Sequence, residues 1–162
     1  MYSYRESHQR TASKQLEHLQ KRTYMNAVLL IGRILFTLIF INSGIMHLTK
    51  VEALTGYATY KKVPAAKLSV IVTGLMILVG GLFIILGIYA DLGALLIAIF
   101  LIPTAFMMHA FWKETDATAK QNETTGFFKD LALAGAALVF FALLRGGAAF
   151  GPHVGTLLAF KK

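Results

Sequence analysis

The chain is dominated by four long apolar runs, at residues 25–46, 68–88, 92–112 and 127–144, which short polar stretches separate. A helix needs about 20 apolar residues to cross the hydrocarbon core of a membrane. The first three runs meet that length, and the fourth meets it by continuing through residues 146–150. A spanning segment must satisfy its own backbone hydrogen bonds, and the two-residue alternation of a membrane β-barrel is absent. The pattern therefore predicts an all-α integral membrane protein, an up-down bundle of four helices in a lipid bilayer.

The polar ends of the chain set the predicted domain boundaries. The chain has 162 residues, of which 56% are hydrophobic and 15% charged, so we expect one membrane domain at residues 25–150. A polar segment at 1–24 precedes it and a short tail at 151–162 follows it. Residues 13–24 carry leucines at helical spacing. They predict either an interfacial helix on the headgroups or a helical extension of the first span.

Charge and cysteine content narrow the classes of function. The net charge of +8 is concentrated beside the ends of the spans, which favours anionic lipid headgroups over nucleic acid as the partner. The chain has no cysteine, which excludes disulfide exchange and thiolate metal sites. Eight lysines and arginines lie on the side of the two termini and seven on the other side. The positive-inside rule therefore predicts that both termini are cytoplasmic.

Several polar residues interrupt the first apolar run. Arg33, Thr37 and His47 fall on one line of the predicted helix, at about 100° per residue. Arg33 lies within the run, where a charge either faces the bundle interior or snorkels to the interface. Asn42 points to the opposite face. It is predicted to bond a neighbouring helix or a second protomer, which would make a homo-oligomer.

Small residues mark the faces where the predicted helices approach one another. Thr73, Gly80 and Gly87 recur at seven-residue spacing in the second run, and alanines and a glycine fill 132–137 in the fourth. Such stripes let two helix backbones come close, so we interpret them as packing faces. Only a very short turn separates the second and third runs, which predicts an antiparallel hairpin.

Antiparallel connectivity brings polar residues together at one face of the membrane. The ends of the first and third spans lie beside the starts of the second and fourth. In the predicted orientation this face is extracytoplasmic, and a polar or redox ligand is expected there. The residues that gather there are His47, Lys50, Glu52, Lys67, His109, Trp112, Lys129 and Asp130.

A quinone headgroup is the first ligand that these residues suggest. A quinone carbonyl needs a hydrogen-bond donor, for which His47, His109 and Lys50 are candidates, and Trp112 offers an aromatic wall. Imidazole titrates near neutrality, so a histidine can also exchange a proton with a quinol.

Two further mechanisms and a purely structural alternative remain open. His47 and His109 have the residue type for bis-histidine haem ligation from two helices. Arg33, Thr37 and His47 have the polarity to line a passage for protons or small solutes. Histidine, lysine and tryptophan also serve simply as anchors at membrane interfaces.

Short motifs in the chain resemble a known family. The most specific are a histidine–tryptophan motif that closes the third run, residues 109–112, and the stretch Phe-Phe-Lys-Asp-Leu-Ala at 127–132. Over residues 32–144 the chain resembles the DoxX family of small four-helix bacterial membrane proteins. Further matching positions are Arg33, Phe40, Ser43-Gly44, Gly56-Tyr57-Ala58, Val63-Pro64, Gly80-Gly81, Gly87 and Gln121.

The resemblance implies a location in the bacterial cytoplasmic (inner) membrane and a quinone-related or redox-accessory role beside a partner redox subunit. The chain departs from the family pattern at Ile77, where members often carry a glutamate, and at His47 and Lys50, where a lysine commonly follows the Ser-Gly pair. Without cysteine or a recognisable cofactor motif, redox work would require a bound ligand or a partner, so whether the chain is an enzyme stays open. The alternative is a non-catalytic protein that assembles or stabilises another membrane complex.

The leading hypothesis is a quinone-interacting, redox-accessory membrane subunit with quinone as its candidate cofactor. The histidines would bond the ligand or exchange protons with it, and the two lysines would be donors or electrostatic guides. Asp130 would be a carboxylate at a helix N-terminus that orients Lys50 or a histidine. The predicted ligand-binding residues are Arg33, His47, Lys50, His109, Trp112, Lys129 and Asp130.

Overall fold

The computed structural model describes residues 2–148, so the predicted tail at 151–162 lies outside the described residues. The described residues form five α-helices and one 3-10 turn, with no strand. Four of the helices are long and apolar enough to cross a membrane, in the segments His8–Thr49, Ala66–Leu86, Ala90–Lys113 and Ala117–Arg145. The predicted all-α, four-helix membrane fold is confirmed. The helices are α1 (Tyr2–Thr49), α2 (Val51–Tyr60), α3 (Ala66–Leu86), α4 (Ala90–Met108) and α5 (Ala117–Arg145), with the 3-10 turn at Phe111–Lys113.

The first span is the end of a much longer helix. α1 runs without a break through 48 residues, which makes it about 72 Å long at 1.5 Å per residue. Hydrocarbon about 30 Å thick covers less than half of that length. Residues 13–24 are exposed and continue the helix of the first span. Of the two predicted alternatives, this is the helical extension and not a separate interfacial helix.

The fourth span is extended at its beginning and not at its end. α5 begins at Ala117, where the side chain of Asp116 accepts a hydrogen bond of 2.7 Å from the backbone N–H of Ala119. The helix ends at Arg145. The prediction that this span lengthens through residues 146–150 was therefore wrong. The first turns of this helix are polar and follow an aspartate cap, so a hydropathy pattern does not detect where the helix begins.

A short helix occupies most of the polar stretch between the first and second spans. α2 follows α1 directly and packs against α3. The chain then turns through Lys62 and Ala65, both with positive φ, before α3 begins. α2 therefore lies across one end of the bundle, above the start of α3.

Glycines bring α3 and α4 into backbone contact near their connecting turn. A Cβ on Gly80 would lie 2.9 Å from the carbonyl oxygen of Gly93, and one on Gly93 would lie 2.6 Å from that of Gly80. Gly87 ends α3 in the left-handed conformation, with φ of 70°. In the predicted small-residue stripe, Gly80 is thus a packing residue and Gly87 a helix cap. The third member, Thr73, lies beyond the close contact.

The core lies between the spans, toward the end where α3 joins α4. It contains Phe40 of α1, Ile77 and Ile84 of α3, and Ile97 and Leu101 of α4. α1 packs on α3, α3 on α4, and α4 on α5. One side of the membrane therefore holds the ends of α1 and α4 and the starts of α3 and α5, as the up-down topology requires.

Candidate functional site

A cavity of about 600 Å³ lies at the end of the bundle that α2 covers. Cavities of about 300–1,000 Å³ are typical of small-molecule sites in proteins. Leu54, Tyr57 and Ala58 of α2 form its outer wall, and side chains of all four spans form the rest. Most of the surface is apolar. The polar and charged groups that line it are Ser43, His47, Tyr57, Ser69, Thr73, Thr104, His109, Lys129 and Asp130.

The cavity also reaches the lipid-facing surface of α4. Ile99, Pro103 and Met107 line it, follow one another at four-residue spacing and are exposed. Four-residue spacing places them on one edge of the helix. Because α4 is a membrane span, this edge faces hydrocarbon. The cavity therefore opens sideways to lipid, which suits a ligand that partitions into the membrane.

His109 is held between two carboxylates. It follows the last turn of α4, and its Nδ1 lies 2.7 Å from Oε2 of Glu123. Its Nε2 lies 3.6 Å from Oδ2 of Asp130, and Lys129 Nζ lies 3.8 Å from Oδ1 of the same residue. Glu123 and Asp130 are seven residues apart on α5, which places both on one face of that helix. Asp130 is only 5% exposed and lines the cavity.

Lys61 ties this group to the segment after α2. Its Nζ lies 2.6 Å from Oε1 of Glu123 and 3.5 Å from Oε1 of Glu114. Burial lowers the pKa of Lys61, but the hydrogen bond to Glu123 and the nearby charges outweigh it, so the pKa lies above its usual value. Tyr57 stands beside the lysine, and burial, followed by the charge of Glu123, raises the pKa of its phenol. Both groups keep their protons through the neutral range.

His47 presents the second imidazole to the cavity. Its Nδ1 lies 2.8 Å from the backbone oxygen of Ser43, one turn earlier in α1. A carbonyl oxygen can only accept, so Nδ1 carries the hydrogen and the neutral ring has Nε2 as an acceptor. The ring stands edge-on to Phe100, with centroids 6.3 Å apart. A ligand hydroxyl can therefore donate to this histidine.

Each histidine packs against a glycine of another helix. A Cβ on Gly126 of α5 would lie 2.5 Å from Nδ1 of His109, and a Cβ on Gly74 of α3 would lie 2.6 Å from Cβ of His47. Separations under about 3 Å are repulsive for any pair of such atoms. The two glycines therefore set how close each imidazole lies to the neighbouring helix.

The structure brings together only part of the predicted ligand-binding set. His47, His109, Lys129 and Asp130 line the cavity. Lys50 and Trp112 are not among the lining residues. Trp112 is half exposed and packs against Phe106, Phe111 and Phe127.

The expectation that Asp130 stands at a helix N-terminus was wrong, because α5 begins at Ala117 and Asp130 lies well inside it. Its facing groups are His109 and Lys129.

Arg33 lies at the other end of the bundle. It is buried, and its Nε donates a 2.8 Å hydrogen bond to the backbone oxygen of Ile84, while Nη2 donates to that of Ile85. Arg33 and His47 are about 21 Å apart along the axis of α1. The arginine thus faces the bundle interior and satisfies carbonyl groups at the end of α3. The carboxylate of Asp91 is buried at the start of α4, with no hydrogen-bond partner among the described residues.

Three residues near the cavity escaped the sequence pattern: Lys61, Glu114 and Glu123. For Glu123 a signal exists, since a helix starting after Asp116 places it on the same face as Asp130. Lys61 offers no such signal, because its position depends on α2. The polar composition of that stretch did not predict a helix there.

The donor set does not favour a metal or haem iron. Among residues 2–148, no three histidine or acidic side chains converge in a way that would hold a metal ion. Haem ligation needs one free imidazole nitrogen on each of two histidines. Both nitrogens of His109 face carboxylates.

A family model matches the part of the chain that contains the first three spans and both histidines of the cavity. The family model described as DoxX matches residues 28–110, just over half of the chain. The chain belongs to the DoxX family. A search of curated proteins and a search of solved structures each gave no match. In this DoxX protein, His47 and His109 lie inside the matched stretch, whereas Glu123, Lys129 and Asp130 lie beyond it.

Ile77 gives the departure from the family pattern a structural meaning. Its side chain is completely buried in the core of this DoxX protein and does not line the cavity. The buried carboxylate of this cavity is instead Asp130, supplied by α5.

Proposed function

We propose that this protein binds a quinone-type ligand in the cavity and acts as a redox-accessory subunit of the bacterial cytoplasmic membrane. The observation that carries the proposal is a cavity that is open to lipid and apolar over most of its wall, with two histidines and a buried aspartate in that wall. Quinones are amphipathic and reach their sites through the bilayer. A ring with two oxygens and an apolar tail matches this distribution of surface.

The polar groups offer complementary partners to a headgroup. His47 Nε2 accepts from a hydroxyl, and Lys129, half exposed beside the cavity, donates to a carbonyl. His109 and Asp130 would exchange a proton with the ligand oxygen that Lys129 contacts. The methionines and phenylalanine of the wall, Met76, Met107 and Phe100, would contact the ring.

Binding can be measured with the chain's own fluorophore. Trp112 is the single tryptophan and packs on Phe106, whose helix carries the exposed edge of the cavity. Titration of the detergent-purified protein with menadione should quench Trp112 in a saturable manner. Thr73→Phe fills the cavity and should weaken binding by tenfold or more, which corresponds to about 1.4 kcal/mol.

Val72→Phe is the matched control, because Val72 is the neighbouring residue on α3 but is exposed and does not line the cavity. Quenching that is linear, without saturation, or equal effects of the two phenylalanines would refute the proposed site.

An assembly role is the second candidate, and the long α1 extension is the observation that favours it. Leu16, Leu19 and Tyr24 are exposed on that extension, with no described partner in this chain. Complementation of a deletion strain grown on menadione separates the two candidates. A ligand-binding function predicts failure of His47→Ala and His109→Ala and success of a Leu16→Glu/Leu19→Glu double variant. An assembly function predicts the reverse.

A further inference from the structure

A continuous row of ionisable groups joins the aqueous edge of the bundle to the cavity. Its members are separated by 2.6 Å from Lys61 to Glu123, 2.7 Å from Glu123 to His109, and 3.6 Å from His109 to Asp130. Lys61 follows α2 and Glu114 follows the 3-10 turn, both outside the four membrane-crossing segments, and Asp130 lies in the cavity wall. The ligand-binding residues predicted from sequence do not form this row, because Lys61 and Glu123 are not among them.

We propose that Glu123, His109 and Asp130 form a proton path between water and the oxygen of a ligand bound in the cavity. The ligand class that this path serves is an amphipathic ring compound with an ionisable hydroxyl group. The inference rests on the proposed function, because it assumes that the cavity is the ligand site. It assigns Glu123 and Asp130 roles that ligand binding alone does not require.

Asp130 is the group that faces the ligand. Its carboxylate is almost wholly buried, and its oxygens lie 3.6 and 3.8 Å from His109 and Lys129, beyond ordinary hydrogen-bond length. A buried carboxyl without a full set of hydrogen bonds has capacity for another partner. The cavity on which it borders supplies room for a ligand hydroxyl.

The path is needed because the cavity opens toward lipid. Its exposed edge on α4 faces hydrocarbon, and α2 lies over its aqueous end. Protons do not cross hydrocarbon as free ions, so a proton must reach the ligand through protein groups. Glu123 is the carboxylate that contacts both Lys61 and the imidazole.

The proton count balances without any electron transfer. When a ligand binds as its oxyanion, an O–H bond breaks on the Asp130 carboxyl and a new one forms on the ligand. Nε2 of His109, in the tautomer that carries its hydrogen there, then reprotonates Asp130, and Nδ1 takes a proton that the ionised Glu123 has first received from water. The cluster ends with its original number of protons and His109 in its other neutral tautomer. Ligand release runs the same transfers backward.

Titratable groups from several elements surround His109. Glu123 and Asp130 face it from α5, and Lys61 lies one hydrogen bond further away, with Tyr57 and Glu114 around the lysine. His47 shares the cavity from α1, and Lys129 reaches Asp130. The imidazole therefore lies between two acids, one hydrogen-bonded at 2.7 Å and one at 3.6 Å, with a lysine behind the first.

The test follows binding and proton uptake at the same time. The full chain is mixed in a weakly buffered solution with 2-hydroxy-1,4-naphthoquinone, whose hydroxyl is ionised at neutral pH. Trp112 quenching reports binding, and the dye pyranine reports proton uptake. The wild type should take up about one proton per ligand, in step with quenching. Menadione, which lacks the hydroxyl, should bind with no proton uptake.

Variants locate the path. Asp130→Asn should keep quenching and lose proton uptake. Glu123→Gln keeps a hydrogen-bonding side chain that cannot carry the proton, so uptake should lag behind quenching by at least about tenfold. Glu123→Asp restores a carboxyl and should shorten that lag, which a merely structural role would not produce. Glu52→Gln, an exposed acid on α2 paired with Lys67, should behave as the wild type.

The outcomes distinguish the two proposals. Absence of saturable quenching in the wild type would remove the ligand site itself. Quenching without proton uptake would leave the ligand site intact and overturn the path. Uptake that stays in step with quenching in Glu123→Gln would show that protons reach the ligand by another route and would also overturn it.

Discussion

At the scale of single residues, the site depends on two positions where no side chain is present. Gly126 and Gly74 leave room for the imidazoles of His109 and His47. Sequence inspection singled out the histidines because their chemistry is visible in the residue type. It overlooked both glycines, because their importance comes from a contact with another helix. The close contacts show that the positions of the functional groups are fixed by neighbours that carry no chemistry.

The Gly126→Ala variant tests this dependence. The added methyl group would overlap the ring of His109, so we expect that ring to move away from Glu123, with a loss of stability of about 1–3 kcal/mol. Ligand affinity and proton uptake should both fall. Gly135→Ala is the control on the same helix, since a Cβ there meets nothing within 4 Å. In an exposed helix position this change should stabilise the protein by about 0.5–1 kcal/mol. Thermal unfolding in detergent measures both, and equal melting temperatures would contradict the expectation.

Lys61 gives a second prediction at this scale, in the pH dependence of stability. Its pKa in the folded protein lies above the ordinary value of 10.5, so its contribution is fully present below pH 10.5 and is lost as pH rises through the folded pKa. Lys61→Met leaves Glu123 and Glu114 without their cation and should cost about 1–3 kcal/mol at neutral pH. The difference from the wild type should shrink above pH 10.5. A difference that stays constant to strongly alkaline pH would show that the charge is not responsible.

At the scale of helices, the apolar runs predicted the spans well and their polar ends poorly. The hydropathy signal in α3 and α4 is strong because their whole length lies in hydrocarbon. The first turns of α5 are polar, and α2 lies at the membrane surface, so neither has the apolar composition on which the prediction depended. Glu123 was missed for the first reason and Lys61 for the second. Two of the four groups in the row from Lys61 to Asp130 therefore lay in segments where lipid imposes no pattern.

Arg33 supports a prediction about one helix end. It donates hydrogen bonds to the last carbonyl groups of α3, which a helix terminus otherwise leaves unsatisfied. Arg33→Met should lower the free energy of unfolding by about 1–3 kcal/mol and leave menadione binding unchanged, because Arg33 does not line the cavity. Arg22→Met, at an exposed position on the same helix, is the control. A large loss of binding with unchanged stability would restore the predicted ligand role of Arg33.

At the scale of the whole molecule, the fold separates two ends of different chemistry. The end with the cavity holds His109 and its carboxylates, and the other holds Arg33 and the buried Asp91. The sequence predicted that polar groups gather at one face because helix order alone determines which ends meet. It did not show the cavity, which depends on how α2 covers the bundle and how α4 meets lipid.

The orientation of these ends in the membrane is the prediction that belongs to this scale. Both termini are expected in the cytoplasm, with the cavity end outside. Because the chain has no cysteine, single variants such as Ser13→Cys and Glu52→Cys provide unique thiols. In intact cells a membrane-impermeant maleimide should label the variant at residue 52 and spare the one at residue 13 until the membrane is permeabilised. The opposite labelling pattern would invert the topology.

The length of α1 has a mechanical consequence. One uninterrupted column of backbone hydrogen bonds joins the exposed extension to Ser43 and His47, and no proline interrupts it. Torsion applied to such a rod at its free end is carried along its axis. Turning the extension would therefore press His47 against Gly74 or draw it away, and so shift the imidazole within the cavity. A protein that binds this helix outside the bilayer would thereby change the geometry of the cavity without contacting it.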